Sequence, residues 1–224
     1  MEGESLFKAE GIYRDKKCSN SQKGLGYFIV KRIMDVCFSL FSIIVFSPLL
    51  IIISILIKLD SQGPIIFKQK RVGLNGKCFQ MYKFRTMCVN AEDQLENIRG
   101  FNEMSGPMFK MRNDPRVTKV GSFLRKTSLD EIPQLFNIIK GDMSLVGPRP
   151  NLPSEVEKFT EEQKRKLAAK PGLTCYWQIM GRNTIDFEEW MQLDIKYIQD
   201  RSILLDIKLI FKTVSVLFGD DDAM

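Results

Sequence analysis

The hydrophobic pattern divides the chain into one long apolar run followed by short alternating segments. Val36 to Ile57 (VCFSLFSIIVFSPLLIIISILI) is 22 residues without a charge, with Ser47-Pro48 just past its middle. Lys31 and Arg32 precede it, and Lys58, Lys68, Lys70 and Arg71 follow. At about 1.5 Å per helical residue the run reaches roughly 33 Å, enough for a hydrocarbon core of about 30 Å. Proline inside a helix removes a backbone donor and clashes one turn back, at about 3 kcal/mol, and Ser47 is placed to re-satisfy the freed carbonyl in part. Short flanks rich in Lys and Arg prefer the cytoplasmic side, and here both flanks are basic. A helix broken at Ser47-Pro48 that enters and returns, in arms of about 12 and about 10 residues, satisfies both. A proline-kinked span is the plain alternative.

Downstream the periods shorten. Asp60-Ser-Gln-Gly-Pro64 is turn chemistry, and Ile65 to Phe67 and Cys78 to Tyr82 read as short strands around Gly73-Leu-Asn-Gly76, a small hairpin beside the membrane. Ala91 to Arg99 reads as a polar helix and Asn102 to Val120 as irregular, broken by Gly106-Pro107 and Asp114-Pro115. From Ser128 to Lys140, Leu129, Ile132, Leu135, Phe136 and Ile139 fall at helical spacing, and Gly141 stops the helix. They occupy an arc of about 120°, which leaves Asp130 pointing away toward solvent or ligand and Glu131 near the edge. Val156 to Ala169 predicts a charged helix, Asp186 caps one through Tyr197, and Ser202 opens a last one through Phe218. With Asp206, Lys208 and Lys212, that last helix is too short and charged to span; its apolar circumference suits the membrane interface and the core equally. Residues 1–26 show no sustained period and read as a flexible leader, and residues 220–224 as an acidic tail.

Composition narrows the chemistry. Against 27 Asp plus Glu stand 33 Lys plus Arg in 224 residues, with a pI near 9.0, which suits anionic headgroups or phosphates. The basic residues are dispersed and no nucleic-acid motif appears, so nucleic acid is not an expected partner. Five cysteines, Cys18, Cys37, Cys78, Cys88 and Cys175, lie far apart without metal-type spacing, and reduced, buried thiols are expected. The absence of histidine excludes His-based triads, His-metal sites and an imidazole base. Catalysis would run on carboxylates, Lys, Arg, hydroxyls or a thiol.

The densest polar constellation runs from Arg125 through Asp130 and Glu131 to Arg149. Its structural reading is a capping box, with Ser128 at the cap and Glu131 returning a hydrogen bond to the helix start; Pro133 then falls inside the helix, so the first turn is expected to be irregular. Its chemical reading makes Asp130 a nucleophile toward phosphorus, ionised at neutral pH without special tuning. Attack of one anion on another needs neutralisation by a hard divalent cation on the carboxylates and by guanidinium groups on phosphate, for which Arg125 and Arg149 are candidates.

Over residues 28–218 an ordered series of motifs resembles the bacterial monotopic phosphoglycosyl transferases. It comprises the basic start and the Ser47-Pro48 break, Arg71-Val-Gly73, Tyr82-Lys-Phe-Arg-Thr-Met87, Asn113-Asp-Pro-Arg116, Leu124-Arg125 and Ser128-Leu-Asp-Glu-Ile-Pro-Gln134. It continues through Gly141-Asp-Met-Ser-Leu-Val-Gly-Pro-Arg-Pro150, Lys170-Pro-Gly-Leu-Thr174 and Gly181-Arg-Asn183. The resemblance implies transfer of a sugar 1-phosphate from a UDP-sugar to polyprenyl (undecaprenyl) phosphate with release of UMP, initiating a bacterial surface glycan. By the same resemblance Asp130 forms a covalent phosphosugar adduct, Glu131 is its partner, Mg2+ binds at this dyad, Arg125 holds phosphate, and Pro148 with Arg149 belongs to the nucleotide or phosphate site. Lys83 and Arg85 lie in a shared basic motif and are grouped with the phosphate-binding residues. The implied fold is α+β and membrane-associated: a re-entrant helix over residues 27–59, then a compact, mainly helical cytosolic catalytic domain over residues 60–219, with a small β-hairpin and interfacial amphipathic helices. The implied place is the cytoplasmic face of the inner membrane, against the lipid bilayer, with homo-oligomers compatible. Two other readings stand beside it: a conventional glycosyltransferase releasing UDP, and a membrane-tethered interaction protein whose Asp-Glu pair only caps a helix.

Overall fold

A computed structural model describes residues 23–103, 111, 113–180 and 185–219; the leader up to residue 22 with Cys18, the stretches 106–110 and 181–183, and the acidic tail lie outside the described residues. The apolar run forms α1, Leu25–Asp60, 36 residues that stay helical through Pro48. The Ser47 hydroxyl donates to the Ile44 carbonyl at 2.8 Å, the acceptor that Pro48 leaves without its amide partner. Helical backbone therefore carries on across the proline, where the pattern predicts two arms separated by a break. Among the described residues α1 is long and apolar enough to cross a membrane by length and composition.

Both ends of α1 grip the same body. Near its start Lys31 forms an ion pair with Asp206 at 2.7 Å, Arg32 donates to the carbonyls of Ile138 and Ile139 at 2.6 Å each, and Asp35 accepts from the Ser144 hydroxyl and the Leu145 amide. Near its end Ile53 and Ile57 are buried against Phe84 and Leu124, and Asp60 accepts from the Val120 amide at 3.1 Å. Between these grips every residue from Ile44 to Pro48 is exposed. Five consecutive residues cover a whole helical circumference, so the Ser47-Pro48 region stands clear on all sides.

The predicted hairpin is present and longer than expected: β1 (Ile66–Val72) pairs antiparallel with β2 (Cys78–Phe84), from Ile66 opposite Phe84 to Val72 opposite Cys78. Asn75 and Gly76 take the left-handed conformations its turn requires. After α2 (Leu95–Ile98), α3 (Lys119–Lys126) begins at the end of the stretch expected to be irregular and runs on beyond it. Thr118 starts α3 by accepting from the Gly121 amide at 3.0 Å, and a Cβ on Gly121 would overlap the Thr86 backbone. Then come α4 (Gln134–Lys140), ended by Gly141 at φ 93, and β3 (Ser144–Val146). The charged helix expected over Val156 to Ala169 is instead α5 (Pro153–Val156), α6 (Glu161–Lys164) and a 3-10 turn. Thr160 and Gln163 form a reciprocal capping box there, which restarts the helix.

The next strand, β4 (Gly172–Thr174), pairs parallel with β3. Three-residue strands leave no readable period. Gly147 and Gly172 let the two backbones touch, since a Cβ on either would overlap the other chain segment. A short helix, α7 (Tyr176–Met180), leads to α8 (Phe187–Asp200) and α9 (Ile203–Gly219). The caps of the last two are as predicted: Asp186 accepts from the Glu189 amide at 2.8 Å and Ser202 from the Leu205 amide at 3.2 Å. One core gathers Ile138, Met143, Val146, Cys175, Tyr197 and Leu209, and a second joins Val72, Phe159, Leu167, Phe187 and Met191. The last helix uses both environments offered to it, with Asp206 and Leu209 buried and Leu204, Phe211 and Val214 exposed. Of the described cysteines only Cys175 is buried; Cys37 and Cys78 are exposed, so the expectation of buried thiols fails where a cysteine faces outward from α1 or the hairpin.

Candidate active site

The Asp-Glu dyad sits in the corner between α3 and α4. Ser128 adopts a left-handed conformation, φ 55, and its side chain makes no capping bond. Leu129–Glu131 form a 3-10 turn, and regular helix begins only at Gln134, after Pro133. The capping box is therefore not formed. Glu131 instead reaches Lys83 on β2, Nζ to Oε1 at 2.7 Å, and the same ammonium lies 3.8 Å from Asp130 Oδ2. The tight turn also overturns the helical projection of Asp130 toward solvent, for the residue is 8% exposed.

Burial pushes the Asp130 carboxyl above the ordinary carboxylate range; Lys83 and Arg125 pull it back, while Glu131 pushes it further up. Ionisation of Asp130 thus depends on its cationic neighbours, in contrast to the untuned carboxylate expected. Arg125 lies in the last turn of α3, exposed, with its Nε donating to Thr86 Oγ1 at 2.9 Å.

Lys83, Glu131 and Arg149 line one cleft together with Arg71, Gln134 and Trp177. Arg149 stacks its guanidinium carbon 5.0 Å from the Trp177 ring centroid and 5.5 Å from that of Trp190. Arg71 donates to the Pro150 carbonyl at 3.1 Å and to Gln69. Burial, followed by the charge of Arg149, pushes Arg71 down to about 10, with Glu155 and Glu131 opposing. Two guanidinium groups and the Lys83 ammonium brought to one cleft suit an anionic ligand. Pro148 is buried beside this cleft and its carbonyl accepts from the Gly172 amide at 2.9 Å, shaping the turn that carries Arg149.

Arg85 is placed elsewhere. It is 7% exposed and donates to the carbonyls of Gln62 and Ser61 at 2.6 and 2.7 Å, closing the exit of α1. Sequence reasoning assigned no role to Arg71, Gln134 or Trp177. Arg71 and Gln134 stood inside motifs of the resemblance, and Trp177 carried no periodic or spacing signal.

Among the described residues no three metal-ligating side chains converge. Two adjacent carboxylates of hard oxygen character do fit a magnesium ion, which takes one or two carboxylates and fills its shell with water and phosphate oxygens. Asp130 and Glu131 are the residues that would hold it, in place of the Lys83 ammonium.

The family profile described as bacterial sugar transferase matches residues 26–220. The chain is 47% identical over 192 residues to the galactosyl transferase CpsE of Streptococcus agalactiae, covering 85% of this chain and 42% of that protein. It is 42% identical over 198 residues to the undecaprenyl-phosphate galactose phosphotransferase of Salmonella typhimurium, covering 87% of this chain and 41% of that one. With the exopolysaccharide production protein ExoY of Rhizobium meliloti it shares 40% identity over 190 residues, 83% of this chain and 84% of ExoY. The chain thus spans less than half the length of the first two relatives and most of the third. A profile match over nearly the whole described region places the chain in the bacterial sugar transferase family.

Proposed function

We propose that the protein transfers a sugar 1-phosphate from a UDP-sugar to undecaprenyl phosphate, releasing UMP, as the first membrane step of a surface polysaccharide. The observation that carries this reading is the buried Asp130 carboxylate held beside Lys83, which with Glu131 lines a cleft that also presents Arg71 and Arg149. It is supported by the Salmonella relative, whose name states both the acceptor and a phosphotransferase activity, and by ExoY, named for exopolysaccharide production.

In the first step an Asp130 carboxylate oxygen attacks the phosphorus bearing the sugar. The Asp–O–P bond forms, the bond to the UMP oxygen breaks, and UMP leaves with that electron pair. In the second step a phosphate oxygen of the acceptor attacks the same phosphorus and returns the carboxylate. Lys83 and Arg125 favour the ionised form of Asp130 against its burial, and Arg149 and Arg71 offset the phosphate charge that would otherwise repel it. Magnesium, when bound to Asp130 and Glu131, supplies further charge neutralisation between carboxylate and phosphates.

The membrane arrangement belongs to the same proposal. With both ends of α1 held by one body, its apex exposed and its flanks basic, α1 enters and leaves the bilayer on the cytoplasmic face. The exposed stripe of Leu204, Phe211 and Val214 on α9, with Lys208 and Lys212 beside it, lies at the headgroup level set by the Lys31–Asp206 contact. Assay of the purified protein with a panel of UDP-sugars, undecaprenyl phosphate and magnesium tests the reading. UMP as the nucleotide product supports it, and UDP would establish the conventional glycosyltransferase instead. Mass spectrometry of enzyme quenched during turnover should find the phosphosugar on the peptide containing Asp130.

A further inference from the structure

A concentration of buried charge lies outside the cleft, directly behind Arg149. Lys166 and Asp194 are 2% and 0% exposed, with Nζ 2.6 Å from Oδ2. The same ammonium donates to Asn151 Oδ1 at 2.7 Å, and Asn151 Nδ2 donates to Glu155 Oε2 at 2.9 Å. The nearby backbone amide of Arg149, with Lys166, favours the ionised form of Asp194 against its burial, without forming a hydrogen bond to it. From the hairpin side Arg71 holds the Pro150 carbonyl and the Val72 amide holds the Asn151 carbonyl. Pro150 and Asn151, the two residues that follow Arg149, are therefore each fixed by a contact from another element.

The side-chain end is fixed as well. Trp190 lies between the two cations, with Arg149 5.5 Å and Lys166 5.3 Å from its ring centroid. Trp177 sits 5.3 Å from Trp190 and takes the guanidinium on its own ring. A buried ion pair contributes little net stability compared with apolar side chains of the same volume. What it adds is direction, because a carboxylate and an ammonium specify where an amide and a side-chain oxygen must lie.

We propose that the Lys166–Asp194 pair positions Arg149, holding its loop and its indole support so that the guanidinium is ordered before an anionic ligand enters the cleft. Ordering an arginine in advance removes that entropic loss from the binding step. The identity of the ligand as a uridine diphosphate group rests on the proposed function; the ordering itself does not.

The chain's two tryptophans, Trp177 and Trp190, both belong to this clamp, so intrinsic emission of the full-length protein in detergent reports on it without any ligand. The decisive variant is Lys166→Met with Asp194→Leu, which removes both buried charges together, with Asp194→Asn as a near-isosteric second variant. The double variant is expected to keep a wild-type thermal midpoint, to shift its emission toward that of Arg149→Ala, and to bind UMP about tenfold more weakly by calorimetry. If the double variant does not fold, the same two readouts on Asp194→Asn decide. Wild-type emission overturns the proposal, and so does wild-type UMP affinity in variants with altered emission. If the unmutated protein itself fails to bind UMP, the functional reading falls while the emission comparison still decides the positioning role.

Discussion

Replacing Arg85 with methionine separates an arginine that binds ligand from one that holds the end of α1 in place. The guanidinium makes short bonds to the Gln62 and Ser61 carbonyls at 2.6 and 2.7 Å, and a third to Ser61 Oγ at 3.0 Å. Hydrogen bonds to a charged group contribute about 1.5–3 kcal/mol each, so the two short ones give roughly 3–6 kcal/mol. Gln62 is exposed and Ser61 half-buried, so water re-solvates part of what is lost and the expected cost is about 3 kcal/mol. For a chain of this size that is a fall of roughly 6–12 °C in thermal midpoint. Methionine keeps much of the packing volume, which confines the effect to the lost donors. Differential scanning fluorimetry in detergent measures the midpoint, and initial rates over a UDP-sugar series measure KM below it. The expected result is the lower midpoint with KM for the donor within twofold of wild type. An unchanged midpoint with KM raised tenfold or more would refute the clamp and return Arg85 to the phosphate site.

Three further outcomes follow from the geometry. Asp130→Asn should lower turnover by on the order of 10³-fold or more. Because burial raises its folded pKa, protonated Asp130 favours the fold below the unfolded value of about 3.9, and that contribution is lost as pH rises through the folded value. The Asn variant should therefore melt higher than wild type at pH 7, with the gap closing on acidification; a lower midpoint at pH 7 would contradict the burial argument. Protease added to intact spheroplasts should spare a tag placed before Leu25 as well as one after Asp60; cleavage of the first alone would make α1 a spanning helix. Gly172→Ala should cost roughly 3 kcal/mol, at the upper end of overpacking, because its Cβ meets the Gly147 backbone; urea denaturation of the detergent-solubilised protein gives the value, and a loss under 1 kcal/mol would sink the reasoning.

Local signals were legible wherever one residue type decides one local event. The Ser47 bond to the Ile44 carbonyl, the caps Asp186 and Ser202, and Gly141 at the end of α4 all act within a turn of the chain and are found where the pattern puts them, whereas the helix break expected at Pro48 is not. The expected helix over Val156 to Ala169 fails for the same kind of reason, since Thr160 and Gln163 form a cap strong enough to restart it. One signal outside those expectations lies in α8, whose buried face runs through Phe187, Trp190, Met191, Asp194, Tyr197 and Ile198. An acidic residue there occupies an apolar stripe, and a carboxylate in such a stripe demands a buried cation. Asp206, buried in α9 beside Leu209, repeats the pattern.

By itself the chain determined a helix long and apolar enough to cross a membrane, a basic hairpin after it, the exclusion of histidine chemistry and an acidic pair flanked by arginines. Those follow from residue type and spacing, which act over a few residues. Tertiary structure alone decided that Glu131 pairs with Lys83 instead of capping, that Asp130 is buried, that Arg85 closes the end of α1, and that Arg71 and Trp177 join Arg149 around a cleft. The contacts that fix them join residues 24 to 79 positions apart. Whether a carboxylate meets an ammonium, a carbonyl or water depends on which distant segment the cores bring alongside it, and periodicity along the chain carries no record of that.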